Sequence, residues 1–491
     1  MSQSQKSVAR AIFGQIFGQL QRVGRSLMLP VAVLPVAGLM LGLGNAGFDI
    51  IPEAINRVML AAGNGVFGNM QLMFAVGVAV GLAKDNDGAA ALAGIVGLII
   101  MNGAMGIVID LRGMQTDATL LGVETLQTGV FGGIIMGMVA AGLYNRYHNI
   151  RLPEYLGFFG GKRFVPIMTG LSAILIGALM AFAWPPVGAM LDHFSHWAAY
   201  QNPVLAWGIY GAGERSLLPV GLHHIWNAPF FFEVGSYVDP DTGKTITGEL
   251  TRFFAGDKTA GYLSGGFMYS MWALPAAALA IYHCADTKRK KLVGGLMASA
   301  ALTSWLTGIT EPIEFTFLFV APILYVIHII LTGIAFAITA MLEIKHSTDF
   351  AHGAIQFFLY YPLSSNAWMF AIIGPIWALL YYGLFRFLIV KLDLKTPGRD
   401  NDETRVTINK AIDQLAGDIV IALGHKANIK SVDACITRLR VSVKDMAKVD
   451  IDKIKALGAM DVVVIGDNLQ AIFGTQSDNI KTEINQVLAV S

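Results

Sequence analysis

The chain has 491 residues, 54% of them hydrophobic and only 14% charged. Soluble domains carry about a quarter charged residues, so most of this chain is not built to face water. A formal net charge of +1 excludes a large basic surface for nucleic acid. Two cysteines far apart, Cys284 and Cys435, exclude a disulfide framework and show no metal-ligand spacing.

The first 26 residues carry Lys6, Arg10, Arg22 and Arg25 without the apolar core and cleavage site of a secretory leader. Ile12, Phe13, Ile16, Phe17, Leu20 and Val23 recur at helical spacing. That pattern predicts an amphipathic helix over about 8–25, lying on the cytoplasmic membrane face. From residue 27 to about 392 the chain reads as an α-helical membrane domain. Apolar stretches lie near 27–47, 71–83, 89–108, 129–144, 165–190, 263–283, 292–308, 315–342 and 367–390. About ten spans are expected, each needing roughly 20 apolar residues.

Segments around 203–235 and 304–316 are broken by Gly and Pro. Broken backbone at membrane depth is tolerated where it is buried in protein or lines a cavity, so re-entrant segments are expected there. Arg146, Arg151, Lys162, Arg163 and the run Lys288–Lys291 assign their loops to the cytoplasm. The polar stretch 236–262 mixes both signs, and charge does not assign its side.

After Lys391 the run LDLKTPGRDNDETR is charged and holds a Pro-Gly pair, which reads as a linker over 393–402. Residues 403–491 read as a small cytoplasmic α/β domain. Helix 405–424, strands 429–434 and 436–443, helix 450–457, strands 460–465 and 468–473, and helix 476–489 follow one another. The order predicts an antiparallel sheet with helices on one side.

In Asp433-Ala-Cys-Ile-Thr-Arg-Leu-Arg440 a cysteine sits where two short strands join. Side chains alternate along a strand, so Arg438 and Arg440 share a face near the turn that carries Cys435. Paired guanidinium groups favour the nucleophilic thiolate and match a phosphoryl group bidentately. A phosphocysteine site is one reading of these residues, and a buried structural cysteine beside two solvated arginines is the other. A tyrosine-phosphatase loop is disfavoured, because such a loop normally places its arginine six positions after the cysteine, where this chain has Val441.

Two polar clusters interrupt the apolar part: Gly213-Glu-Arg215 with Gly221-Leu-His-His-Ile-Trp-Asn227, and Gly308-Ile-Thr-Glu-Pro-Ile-Glu-Phe315. Charges within spans are costly and mark functional sites by default. Arg215, His223, Asn227, Thr310 and Glu311 offer the donors and acceptors that a hexose needs, with Trp226 as an aromatic wall. The alternative is an ion pair of Arg215 with Glu214 or Glu314 that ties helices together. His223 and His224 are adjacent and should diverge on a helix, so zinc is not expected. Pro312 is expected to disrupt a helix interior.

DACITRLRVSV, GITEP and the 213–227 run resemble the glucose/N-acetylglucosamine/maltose family of enzymes II in the bacterial phosphoenolpyruvate:sugar phosphotransferase system, most closely its glucose-specific IICB members. LPEYLGFFGGKRFVPI (152–167) and LKTPGR (394–399) add to the resemblance, which extends from MLPVAVLPVAG near residue 28 to the end. It implies a IIC membrane domain over 1–392 and a IIB domain over 403–491. Cys435 would take phosphate from a histidine of a separate, soluble, phosphorylated IIA protein and pass it to the sugar, helped by Arg438 and Arg440. By the same resemblance Arg215 and His223 contact the sugar, and Glu311 reaches the hydroxyl to be phosphorylated. His223 counts among the catalytic residues with Glu311, while His224, Asn227, Thr310 and Glu314 are further substrate-binding residues. The resemblance implies a bacterial inner-membrane homodimer that imports glucose as its 6-phosphate, with no cofactor. N-Acetylglucosamine or a maltose-type sugar is the alternative substrate, and a secondary transporter with a regulatory tail is the alternative class.

Overall fold

A helix closes its own backbone hydrogen bonds, so it can carry an apolar surface through a bilayer. In the computed structural model five helices among the described residues have the length and apolarity to do so. They are Arg22–Asn45, Gly88–Leu111, Gly161–Gln201, Pro322–Met341 and Ala367–Lys391. Glu53–Phe67 and Met70–Leu82, bent by 55° at their junction, make a sixth if taken as one broken span. The other apolar stretches are present as shorter or interrupted helices. The structure describes residues 22–24, 26–46, 51–240, 243, 245–318, 320–349, 351–399, 412–434, 438–459, 461–473 and 476–490. Most of the expected amphipathic helix 8–25 lies outside them.

Two compact units emerge: one draws on Ile16–Tyr269 and His328–Ile372, the other on Ser270–Ile327 and Ile373–Ser491. In the first, Phe164–His196 exposes Leu171, Leu175, Leu179 and Phe182 in one stripe at helical spacing. Its opposite face buries Ala173, Met180, Ala181 and Trp184 with Leu98, Met101 and Met105 of Gly88–Leu111. An apolar stripe turned outward is what a lipid-facing helix requires. Small residues set the helix spacing: a Cβ added to Gly177 would overlap the carbonyl oxygen of Met101. Polar glue is interior too, since Gln71 Nε2 donates to Thr128 Oγ1 at 2.5 Å and Asn102 Nδ2 donates to Gln71 Oε1 at 3.3 Å.

Asp87 starts Gly88–Leu111 by accepting the Ala89 N–H at 2.8 Å. The Lys162 ammonium, followed by that N–H, holds the Asp87 carboxyl below its ordinary range. Two short hairpins, β1 (Ala118–Leu120) with β2 (Val123–Thr125) and β3 (Ser236–Val238) with β4 (Thr245–Thr247), were not expected from the sequence. Beyond β4 the polar stretch turns inward, and Glu249, Arg252 and Asp257 are all buried. Arg252 Nε donates to Asp257 Oδ2 at 2.8 Å and its Nη2 to Thr259 Oγ1 at 2.6 Å, so this charge is met by its own loop.

Met268–Ala273, which crosses from the first unit into the second in sequence, winds as a π turn before Leu274–Cys284. Pro275 has no N–H to return to that turn, and a π segment is one way to absorb the loss. Ser304 Oγ donates to the Ser270 carbonyl there at 2.6 Å. The stretch expected as one span over 315–342 is divided: Glu311–Leu318 ends and Pro322–Met341 begins with the proline. Proline suits a first helical position because its missing N–H would be unpaired there anyway.

The supposed linker is folded through its first half. Arg399 donates through Nη2 to Asp393 at 2.7 Å and through Nη1 to the Cys284 carbonyl at 3.2 Å. The Asp286 N–H donates to the Gly398 carbonyl at 3.1 Å. Lys395, then Arg399, hold the Asp393 carboxyl below its ordinary range. LKTPGR therefore docks on the end of Leu274–Cys284, and residues 400–402 lie outside the described residues.

The C-terminal domain follows the expected order. Strands β5 (Ile429–Ala434), β6 (Arg438–Val443), β7 (Val462–Ile465) and β8 (Asn468–Ile472) form one antiparallel sheet in the order β5-β6-β8-β7. Leu439, Val441 and Val443 alternate inward along β6 and meet Leu415, Ile419, Ile480 and Ile484 of helices Ile412–Ala422 and Ser477–Val490. Helices thus cover one face, and Arg438, Arg440 and Ser442 project from the other.

Gly177→Ala should lower the thermal unfolding midpoint in detergent, at a cost of about 1–3 kcal/mol for overpacking. Gly142→Ala, where nothing lies within 4 Å of an added Cβ, should leave the midpoint unchanged or raise it slightly. Equal midpoints for the two variants would show that this helix contact does not need glycine.

Candidate functional site

Helix Pro203–Leu217 ends just after Gly213-Glu-Arg215, and helix His223–Glu233 opens with the two histidines. The break that separates them holds Gly221 at φ +73°, a backbone angle that favours glycine. Arg215 is buried, and its Nη2 lies 3.0 Å from Glu214 Oε1 and donates to Tyr269 Oη at 2.7 Å. The guanidinium also lies 4.4 Å from the centroid of the Tyr269 ring. The pair with Glu214 weighed from sequence is present. Such a guanidinium has a fixed direction, which a ligand-binding donor needs.

His223 and His224 are half-buried, and their ring centroids are 4.0 Å apart. The expectation that adjacent side chains diverge fails here, because the two stand in the first turn of the helix, where no preceding turn restricts them. Among the described residues no group of three His, Cys, Asp or Glu side chains has metal-holding geometry. Asn227 is buried, and no described residue donates to its Oδ1. Trp226 is committed within the protein: its Nε1 donates to the Tyr210 carbonyl at 3.0 Å, and its ring fills the space that a Cβ on Gly213 would take.

The GITEP run belongs to the other unit. Lys290–Thr307 stops at Gly308, which adopts φ +74° as a left-handed cap. The Thr310 carbonyl then accepts from the Ile313 and Glu314 N–H groups and starts Glu311–Leu318. Pro312 falls in the first turn and not in a helix interior, so the glycine and not the proline makes the break. Glu311 is half-buried, whereas Thr310 and Glu314 are buried. Both glutamates stand in the first turn, where the helix dipole favours negative charge. Phe317 anchors this helix edge-on to Phe385, with ring centroids 5.3 Å apart.

In the C-terminal domain Arg438 and Arg440 lie two apart on β6, on one face of the sheet. Arg438 Nη1 donates to Gln470 Oε1 at 3.0 Å, and Gln470 stands directly opposite Arg440 in the β6–β8 register. Asp433, opposite Arg440 on β5, lies 3.4 Å from Lys481 Nζ. Cys435 belongs to the three residues between β5 and β6 that lie outside the described residues. Of the strand expected over 436–443, residues 438–443 are described and form β6.

Sequence reasoning missed Tyr269, Gln470 and the surroundings of Phe315. Tyr269 is 54 residues from Arg215 and looks like any apolar-helix tyrosine. Gln470 was discoverable, since pairing the two predicted strands in register sets it beside the arginines.

A family model described as Phosphotransferase system, EIIC matches residues 24–333, a stretch that contains both polar clusters. A second, described as phosphotransferase system, EIIB, matches residues 417–450 and so spans Cys435, Arg438 and Arg440. Among solved structures, a similar chain is the transporter ChbC, the IIC component from the N,N'-diacetylchitobiose-specific phosphotransferase system. It is 14% identical, with a TM-score of 0.48, and the match covers 78% of this chain and 94% of that one.

Tyr269→Phe keeps the ring against Arg215 and deletes only the oxygen that takes its hydrogen bond. A bond to a charged group is worth about 1.5–3 kcal/mol, so the unfolding midpoint should fall. Tyr269→Leu, which also removes the ring face, should fall further. A Phe variant as stable as the parent would mean that the Tyr269 hydroxyl adds nothing to the hold on the guanidinium.

Proposed function

We propose how this chain works from one premise: it belongs to the phosphotransferase system EIIC family, and an EIIB domain is fused behind it. It is a multi-pass membrane protein that couples sugar transport to sugar phosphorylation, with a soluble IIA protein as phosphoryl donor and the C-terminal domain on the cytoplasmic side. The finer reading is ours: the sugar is glucose, it is taken up across the bacterial inner membrane by a homodimer, and Cys435 carries the phosphate. One observation carries this reading. The residues matched to EIIB hold a cysteine beside two arginines that share one face of β6.

In the first step the Cys435 thiolate attacks phosphorus on a histidine of IIA; the S–P bond forms as the N–P bond breaks. In the second, the sugar's 6-oxygen attacks phosphorus, the S–P bond breaks, and the sulfur leaves as thiolate. The hydroxyl proton passes to Glu311, whose half-buried position leaves it open to a substrate. Arg438 and Arg440 stabilise the charge spread over the three equatorial oxygens, which is most of what a protein can supply to phosphoryl transfer. Arg215, oriented by Glu214 and Tyr269, and His223 hold the sugar hydroxyls, with support from His224, Asn227, Thr310 and Glu314. Charge on the product keeps it inside the cell.

Purified protein in vesicles, given phosphorylated IIA and labelled glucose, should accumulate only glucose 6-phosphate. Free glucose inside, or uptake that survives Cys435→Ser, would make the protein a secondary transporter with a regulatory tail. Glu311→Gln should bind glucose within about tenfold of the parent, equal to roughly 1.4 kcal/mol, while phosphorylation falls far more. Equal losses in binding and turnover would assign Glu311 to sugar binding alone.

A further inference from the structure

Among the described residues no helix of the C-terminal domain packs on the outer face of its sheet, yet part of that face is shut off from water. Arg438 is only 3% exposed, Gln470 6% and Ile472 0%. All three lie on that face, because their neighbours Leu439, Leu469 and Ala471 point into the helix-covered core. Arg438 and Ile472 are directly paired across β6 and β8. The helices of the domain itself therefore do not account for this burial.

Phe315 lies against this face at Arg438. The Arg438 guanidinium carbon lies 4.5 Å from the centroid of the Phe315 ring, a cation–π contact. Phe315 stands four residues after Glu311 on helix Glu311–Leu318, one turn along the same face. We propose that Phe315 is the docking residue by which the membrane domain seats the phosphoryl-carrying domain, with Arg438 as the group it recognises.

The inference rests on the phosphocysteine reading above and adds a positioning residue to it. A flat ring face is a selective partner for a guanidinium, and it leaves the edge donors free in direction. Gln470 holds one of those donors, Nη1, through its Oε1. Ring and amide together fix Arg438, three residues after Cys435 in sequence, and the ring stands on the helix that carries Glu311 one turn before Phe315. Phosphoryl transfer depends steeply on such placement, since a misfit of about 1 Å can cost about a hundredfold in rate. Phe315 touches neither sugar nor phosphorus in this scheme and acts through Arg438.

The test is a rapid-quench measurement on the full-length chain. Cys435 is first charged by phosphorylated IIA, glucose is then added, and glucose 6-phosphate is counted in a single turnover. Phe315→Leu should slow the transfer to glucose by about tenfold or more, the scale of a desolvated cation–π contact. It should leave glucose affinity and the charging of Cys435 by IIA near parent values, which also shows that both domains are folded. Phe315→Tyr, which keeps the ring face, should transfer within a few-fold of the parent. Parent-like transfer by the Leu variant would overturn the proposal. So would equal slowing in the Leu and Tyr variants, which would make the residue a packing element only. If the parent chain itself is never charged at Cys435, the phosphocysteine reading fails; if it is charged and Phe315 is indifferent, only this inference fails.

Discussion

A charge taken out of water has to be met by something, and in a chain this apolar the choices are few. Each buried arginine named above is met in its own way. Arg252 is surrounded by the carboxylate and hydroxyl of its own loop, and Arg215 by a neighbouring glutamate and a tyrosine. Arg438 meets an amide and a phenyl ring. The first arrangement closes the charge inside structure. All three also lie over an aromatic ring, of Tyr200, Tyr269 and Phe315 respectively, and a ring face orients a guanidinium without quenching its charge as a carboxylate does.

The backbone obeys a parallel rule. Wherever a helix stops inside the apolar part, its end must be satisfied locally, and the glycines at 221 and 308 adopt the angles that allow this. Those stops are also where the polar side chains cluster. Gly308 ends one helix, Thr310 starts the next, and Glu311 is delivered to its first turn. Breaking the helix and placing a carboxylate in the apolar domain are thus one local event, and the short helix that results carries Glu311 and Phe315 one turn apart.

Much of this was legible before any coordinates. The strand order of the C-terminal domain followed from alternation and turn residues, and the broken stretches at 203–235 and 304–316 did break. The chemistry proposed at Cys435 could be put forward from sequence because sulfur and two guanidiniums lie within six residues. What escaped was long-range or compositionally mixed. Helix Glu53–Phe67 hid because Glu53, Asn56, Arg57 and Asn64 interrupt its apolar run. The role of Pro312 was misjudged because the helix boundary lay one residue before it. LKTPGR passed for a tether because its partners, Cys284 and Asp286, are more than a hundred residues away. Phe315 stood inside a recognised motif and still read as an ordinary core residue, since nothing local announces that an arginine will lie over it.

The central claim is that phosphorus travels through sulfur on its way to sugar. Peptide mass spectrometry of the full-length chain, mixed with phosphorylated IIA and sampled before and after glucose is added, tests this directly. The account predicts phosphate on the Cys435 peptide before glucose, and its disappearance afterwards in step with an equal amount of sugar phosphate. Sugar phosphate formed while the Cys435 peptide stays unmodified throughout would contradict it.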